Sequence, residues 1–369
     1  MRRINYNNIL IILSLSLILI VGLFMVYSSS SIWAYYMFED KYYYLKRQLI
    51  FVLIGIILMF FASKIRLDKI RKHSTISLLI GFLMLILVLV PLFSVEINGS
   101  RSWYKIGSFL FQPSELFKLI IVFYMADRLD KYYNVTTHFF KTIMILLIPA
   151  LFAFLLIMLQ PDFGTGVVML GAIIMMCVLS KNRFKNYLVL GGIALFAFII
   201  LISTSDYRSE RIDAFINPYS DPLGSGFQAI QSMYAIGPGG LIGKGIDGSY
   251  QKYFYLPEPQ TDFIFSIYAE DYGFVGCVIL VGLYTLLIGA MFNKAMSEKS
   301  TFKAYLDIGI ASLIVIQVCI NLCVVVGLIP VTGITLPFMS YGGSSITMLL
   351  AGIGFILNKE DENEYFNVR

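Results

Sequence analysis

Histidine is nearly absent: the chain holds two, His73 and His138. Charge is scarce as well, at 14% of 369 residues, where a soluble domain carries about 25%. Cysteine is limited to Cys177, Cys277, Cys319 and Cys323. All four sit in apolar runs and none has the spacing of a zinc site, so neither a disulfide framework nor a thiolate metal centre is indicated. Cys319 and Cys323, one helical turn apart, read as small packing residues of a buried helix. Apolar residues fill the composition instead. A hydrophobic share of 58% and a mean hydropathy of +0.78 place the chain among membrane proteins. The net charge of +5 is spread along the chain, which leaves no basic patch for nucleic acid. The first apolar run has no small-residue cleavage site after it and reads as a full span rather than a signal peptide.

A helix crosses the hydrocarbon core with about 20 apolar residues. Such runs fall at 8–27, 47–63, 74–94, 113–127, 140–159, 164–180, 187–203, 262–292, 304–328 and 340–358. The expected fold is therefore an all-α integral membrane protein with about ten transmembrane helices. Residues 1–369 form a single polytopic membrane domain, and one large extracellular loop, 204–261, joins spans 7 and 8. With the N-terminus in the cytoplasm, the inner segments collect Lys64, Arg66, Lys69, Arg71 and Lys72, then Arg128 and Lys131, Lys181, Arg183 and Lys185, and Lys294, Lys299 and Lys303. The short outer loops hold only Lys41, Lys46, Arg47, Arg101 and Lys105. That asymmetry predicts both termini in the cytoplasm of a bacterial cytoplasmic membrane.

Two connections stand out, Ser94–Gln112 and the long 203–260 segment. The second is rich in aromatic, Gly and Pro residues, which predicts an ordered surface structure with short re-entrant pieces. Ionisable groups deep in a span are costly, and here they collect toward the outer side. Glu115 and Lys118, at i and i+3, share a helix face and can neutralise each other. Asp162 breaks the fifth span from the sixth, and an N-cap role competes with a functional one. Asp262 opens the eighth span with the same two readings. Glu270 follows two turns later on nearly the same side, where no cap is needed.

Both histidines fall on the inner side of this topology. Chemistry at the outer face must then use a carboxylate as base, and no Ser-His-Asp or Cys-His arrangement can form there. Residues 237–245, Gly-Pro-Gly-Gly-Leu-Ile-Gly-Lys-Gly, imitate a phosphate loop but fail its pattern, with Pro238 at a required Gly and Gly245 at the Ser or Thr. They read better as a turn that allows close backbone approach. Carboxylates, Arg101, Arg208, Arg211, Lys244 and Lys252, aromatics and glycine suit an anionic, lipid-linked or carbohydrate ligand. They suit a transporter's gate equally well.

Several segments are more specific. They are Asn98-Gly99-Ser100-Arg101-Ser102-Trp103, Phe111-Gln112-Pro113-Ser114-Glu115, Gln160-Pro161-Asp162-Phe163-Gly164-Thr165, Asp221–Gln228 with Gln231-Ser232, Leu256–Phe265 and Pro330–Ser344. In this order, on this topology, the chain resembles the SEDS family of shape, elongation, division and sporulation proteins (RodA, FtsW and SpoVE), and looks closest to the FtsW and SpoVE branch. The resemblance covers essentially the whole chain. It implies a peptidoglycan polymerase that uses lipid II, a disaccharide-pentapeptide on undecaprenyl pyrophosphate, for inverting glycosyl transfer in division, elongation or sporulation. It implies Asp262 as catalytic residue and a class B penicillin-binding protein as partner. On this reading Arg101, Arg208, Arg211, Lys244, Gln228 and Ser232 bind substrate, and Glu115, Lys118, Asp162 and Glu270 shape the cavity. A divalent cation such as Mg²⁺ is one means of stabilising the departing pyrophosphate. The alternatives are a lipid II flippase and a non-catalytic scaffold of a cell-wall complex.

Overall fold

Long apolar helices dominate the computed structural model, which describes residues 6–97, 99–107, 109–131, 139–180 and 206–358. Its helices are α1 (Tyr6–Phe38), α2 (Tyr43–Ala62), α3 (Leu67–Lys72), α4 (Ser74–Leu87), α5 (Pro113–Lys131), α6 (Phe139–Met158), α7 (Phe163–Val178), α8 (Asp206–Ile216), α9 (Phe227–Ile236), α10 (Ile264–Ser297), α11 (Thr301–Val325) and α12 (Gly343–Leu357). By length and composition α1, α2, α10 and α11 can each cross a membrane, and shorter apolar helices cover Ser74–Leu87, Ile145–Met158, Phe163–Val178 and Gly343–Leu357. The chain is an all-α membrane protein with several apolar helices. The expected span 187–203 lies outside the described residues.

Helix α1 shows how one sequence serves two solvents. Ile11, Leu15, Ile18, Gly22 and Met25 recur at alternating steps of four and three and are buried, while Ile12, Leu13 and Ile20 on the other face are exposed. The helix runs well past the expected end at residue 27. Its Ser28–Ser31 run does not stop it, because Ser29 Oγ donates to Met25 O (2.7 Å) and Ser30 Oγ to Val26 O (2.6 Å) inside the same helix.

Residues Ser94–Gln112, expected only as a notable loop, hold the three-stranded antiparallel sheet of the described chain. Its strands are β1 (Val95–Ile97), β2 (Ser100–Ile106) and β3 (Phe109–Phe111), paired in that order. Alternation along β2 turns one face to the bundle. Ser100 and Ser102 both donate to Gln160 O, and Tyr104 donates to Met84 O at 2.6 Å. Arg101, on the opposite face, pairs with Glu96 at 2.8 Å.

Pro330–Ser344 packs irregular backbone into the bundle, where every carbonyl needs a donor. Five side chains from four helices supply donors to five of them. Arg211 donates to Val331 O, Asn321 to Ile334 O, Gln317 to Thr335 O, Tyr284 to Pro337 O and Gln48 to Ser340 O, all at 2.6–3.0 Å.

The far end of the bundle is closed by ion pairs. Fully buried Asp127 receives Arg71 (3.0 Å), Ser74 (3.1 Å) and Lys131 (3.0 Å). Buried Lys303 pairs with Asp307 at 2.5 Å, and Lys294 donates to Asn8 at 2.9 Å. Asn358, at the end of α12, binds Ala62 O and Ile65 O at that same end, so Tyr6 and Leu357 lie on one side.

Candidate active site

Pro257 and Pro259 bar helix formation ahead of α10 and leave a turn. Glu258 sits at φ +44°, and its carbonyl accepts from Thr261 N (3.1 Å) and Thr261 Oγ1 (2.8 Å). The first turn of α10 is capped by Phe263 without any side-chain bond. The N-cap reading of Asp262 is thereby set aside. Its Oδ1 accepts instead from Thr261 Oγ1 at 2.8 Å, and its backbone carbonyl is held by Asn321 Nδ2 at 2.7 Å. Burial pushes the half-buried Asp262 carboxyl up to about 6, with Glu258 adding to the rise and the Thr261 hydroxyl and Arg211 guanidinium opposing it. A carboxylate so poised can accept a proton near neutral pH.

A second polar group lies beside α5. Asp162 does cap α7, through Thr165 N at 3.3 Å, but it also receives Gln112 Nε2 at 2.7 Å and Ser114 Oγ at 3.3 Å. Burial raises its carboxyl above the ordinary range. Glu115 and Lys118 form the expected pair at 2.9 Å, both buried, and Lys118 also reaches Gln317 Oε1 at 3.2 Å. Gln317 and Asn321, one turn apart on α11, therefore join the Lys118 pair to the Asp262 turn through the adjoining carbonyls of Thr335 and Ile334. Sequence reasoning passed over both amides. The available signal was two carboxamides four residues apart in an otherwise apolar run, Leu313–Val325.

Glu270 belongs to a different construction. Its carboxylate accepts from Ser249 Oγ (2.8 Å), Tyr250 N (2.8 Å) and Gln251 N (3.1 Å), which fixes the loop ahead of the Leu256–Phe263 turn. Three residues on, Gly273 at φ +64° breaks α10. The glycine-rich segment fills the break. Lys244 N and Gly245 N donate to Glu270 O and Asp271 O (2.9 and 3.0 Å), while Phe274 N and Val275 N donate to Gly240 O and Leu241 O (2.9 and 3.0 Å). This is the close approach expected of its glycines: a Cβ on Gly239 or Gly243 would meet an α10 carbonyl oxygen at 2.2 Å.

The remaining expected residues are dispersed. Arg211 is half-buried on α8 near Asp262. Lys244 lies over the Tyr250 ring (4.7 Å) and 3.9 Å from Glu270. Gln228 is half-buried on α9. Ser232 is fully buried and its hydroxyl joins Ser266 Oγ and Val325 O, which makes it a tie between helices. Arg101 is bound to Glu96 on the sheet's outer face. The Arg208 side chain lies outside the described residues. Among the described residues no three His, Cys, Asp or Glu side chains converge as a metal cage.

An apolar helical bundle with a half-buried carboxylate, a guanidinium whose charge reaches it and an irregular loop tied by side chains defines a multi-pass membrane protein with a polar cluster at one end. Comparison makes it specific: residues 8–365 match the cell cycle protein model that groups FtsW, RodA and SpoVE, and the chain belongs to that family, on its FtsW and SpoVE branch. It is 45% identical to stage V sporulation protein E of Bacillus subtilis over 97% of this chain and 98% of that protein. It is 38% identical to a probable peptidoglycan glycosyltransferase FtsW of Trichlorobacter lovleyi, over 91% of this chain and 88% of the relative. Among solved structures it superposes on a chain of a peptidoglycan synthase complex with TM-score 0.76 and 32% identity, covering 94% and 95% of the two chains. Rod shape determining protein RodA of Thermus thermophilus matches with TM-score 0.70 and 27% identity, over 94% of each chain.

Proposed function

We propose that the chain is a peptidoglycan glycosyltransferase that polymerises lipid II at the outer face of the cytoplasmic membrane, with both termini inside. The observation that carries the reading is Asp262: half-buried, oriented by Thr261 and Asn321, set beside Arg211, in a chain of this family. Asp262 removes the proton from the 4-hydroxyl of an acceptor GlcNAc as that oxygen attacks C1 of a lipid-linked MurNAc. One displacement converts the α-linked donor to a β-linked product and expels undecaprenyl pyrophosphate. The leaving group needs charge stabilisation rather than a proton. Arg211, whose charge acts on the Asp262 carboxyl, is the first candidate cation for it; Lys244, Arg208 and Arg101 are further candidates. Gln228 is retained as a further substrate contact.

Mg²⁺ in a phosphate site takes one or two carboxylates and fills its shell with water and substrate oxygens. Asp262 is the carboxylate on offer for such an ion, and no step above runs through it. Resemblance to a chain of a peptidoglycan synthase complex supports a class B penicillin-binding protein as the crosslinking partner. The test is polymerisation of purified lipid II by detergent-solubilised protein, with and without the partner, for wild type and Asp262→Asn. Polymer lost in a folded mutant supports the assignment. Equal product from both, or none from either even with partner, sinks it and moves the flippase or scaffold ahead.

A further inference from the structure

We infer that Asn321 is a positioning residue for the transfer step: its amide clamps the Asp262 turn to the Pro330–Ser344 loop and sets where the carboxylate points. The inference rests on the proposed role of Asp262. Asn321 is 1% exposed, deep in α11. Its two amide hydrogens have two separate acceptors, Asp262 O and Ile334 O, each at 2.7 Å from Nδ2. Those carbonyls belong to segments that approach the site from opposite sides in sequence, one leading into α10 and one following α11.

A membrane-buried carbonyl needs some donor, and an amide supplying one is the ordinary solution. Two features take Asn321 beyond that role. The carbonyl it holds is the one on the proposed base itself, so its loss acts directly on the ψ angle of Asp262. Among the described residues its side chain is otherwise held only by the Thr261 hydroxyl, whose single proton is shared with Glu258 O. Asn321 also stands one turn from Gln317, which carries the Lys118 pair, so α11 sets the spacing between the two polar groups of the site.

A displacement of about 1 Å in a catalytic group costs about 100-fold in rate. Asn321→Leu, similar in shape but without donors, is therefore expected to lower kcat about 100-fold while KM stays within about twofold. The acid limb of the pH profile should move, because the Asp262 carboxyl shifts against Glu258 and Arg211. Asn321→Ser, which keeps one donor, should fall between. Cys319→Ala, on the exposed face of the same helix, should match wild type. A purely structural tie would lower the yield of folded protein without moving the limb. Asn321→Leu with wild-type kcat and limb overturns the inference, as does a change confined to KM. Failure of both Asn321 variants to accumulate folded also overturns it. Asp262→Asn at wild-type rate instead overturns the parent reading.

Discussion

Gly243 and Gly273 meet backbone to backbone, so closely that a Cβ on Gly273 would lie 2.3 Å from the Gly243 nitrogen. Both have positive φ, +80° and +64°. The contact joins a loop to the interior of a helix, and it accounts for why both positions need glycine.

Gly273→Ala should therefore destabilise the fold by about 1–3 kcal/mol from backbone strain, with added cost from the contact. The loss should be local at first. Limited proteolysis should cut within 237–252 faster, and thermal unfolding in detergent should begin lower. An unchanged digestion pattern would argue that the break is not held by this contact.

Activity should fall in acid through the titration of Asp262. Its carboxyl is pushed up to about 6, so the ionised base is lost as pH drops through that value and recovered above it. kcat/KM should therefore rise from pH 5 to a plateau above about 7. A flat profile across this range would remove Asp262 from the role of base.

The Glu115–Lys118 pair makes a different prediction. Both side chains are buried, and Glu115 Oε2 has no hydrogen bond. Lys118→Met strands the carboxylate and should cost about 3–5 kcal/mol. Glu115→Gln combined with Lys118→Met should recover most of it, because no charge is then left alone. Equilibrium unfolding of the single and double variants checks this. Additive losses would show that the pair does not act as a unit.

Orientation is open to direct labelling. In a cysteine-free background, Lys105→Cys on the sheet side should react with an impermeant maleimide on intact cells. Lys72→Cys, at the end closed by Arg71 and Asp127, should react only after permeabilisation. The reverse pattern would invert the topology.

Periodicity and the lengths of apolar runs made the helices legible, because both follow from the thickness of the bilayer. Carboxylates at span ends were legible for the same reason, since each is costly unless used. The sheet at Val95–Phe111 was not. Its strands are of three to seven residues, and the Asn-Gly-Ser-Arg sequence among polar and aromatic residues reads equally as loop. Asn321 and Gln317 were hidden for another reason: their amide nitrogens donate to main-chain carbonyls, which have no sequence signature. Ser232 shows the converse. Its motif drew attention, yet its hydroxyl is occupied by Ser266 and Val325, and nothing in the motif distinguishes a ligand from a tie.

The bonds between residues 240–245 and the break in α10 also impose an order on biogenesis. The loop precedes the helix in the chain, so it emerges from the ribosome before the helix segment that needs it. Until the two meet, Phe274 N and Val275 N can pair only with Glu270 O and Asp271 O, four residues back, as in an unbroken helix. The break at Gly273 therefore cannot be fixed in advance of the loop. Arrival of the loop thus becomes a checkpoint on maturation of the helix, and a chain stalled there would present an unbroken helix to membrane quality-control proteases.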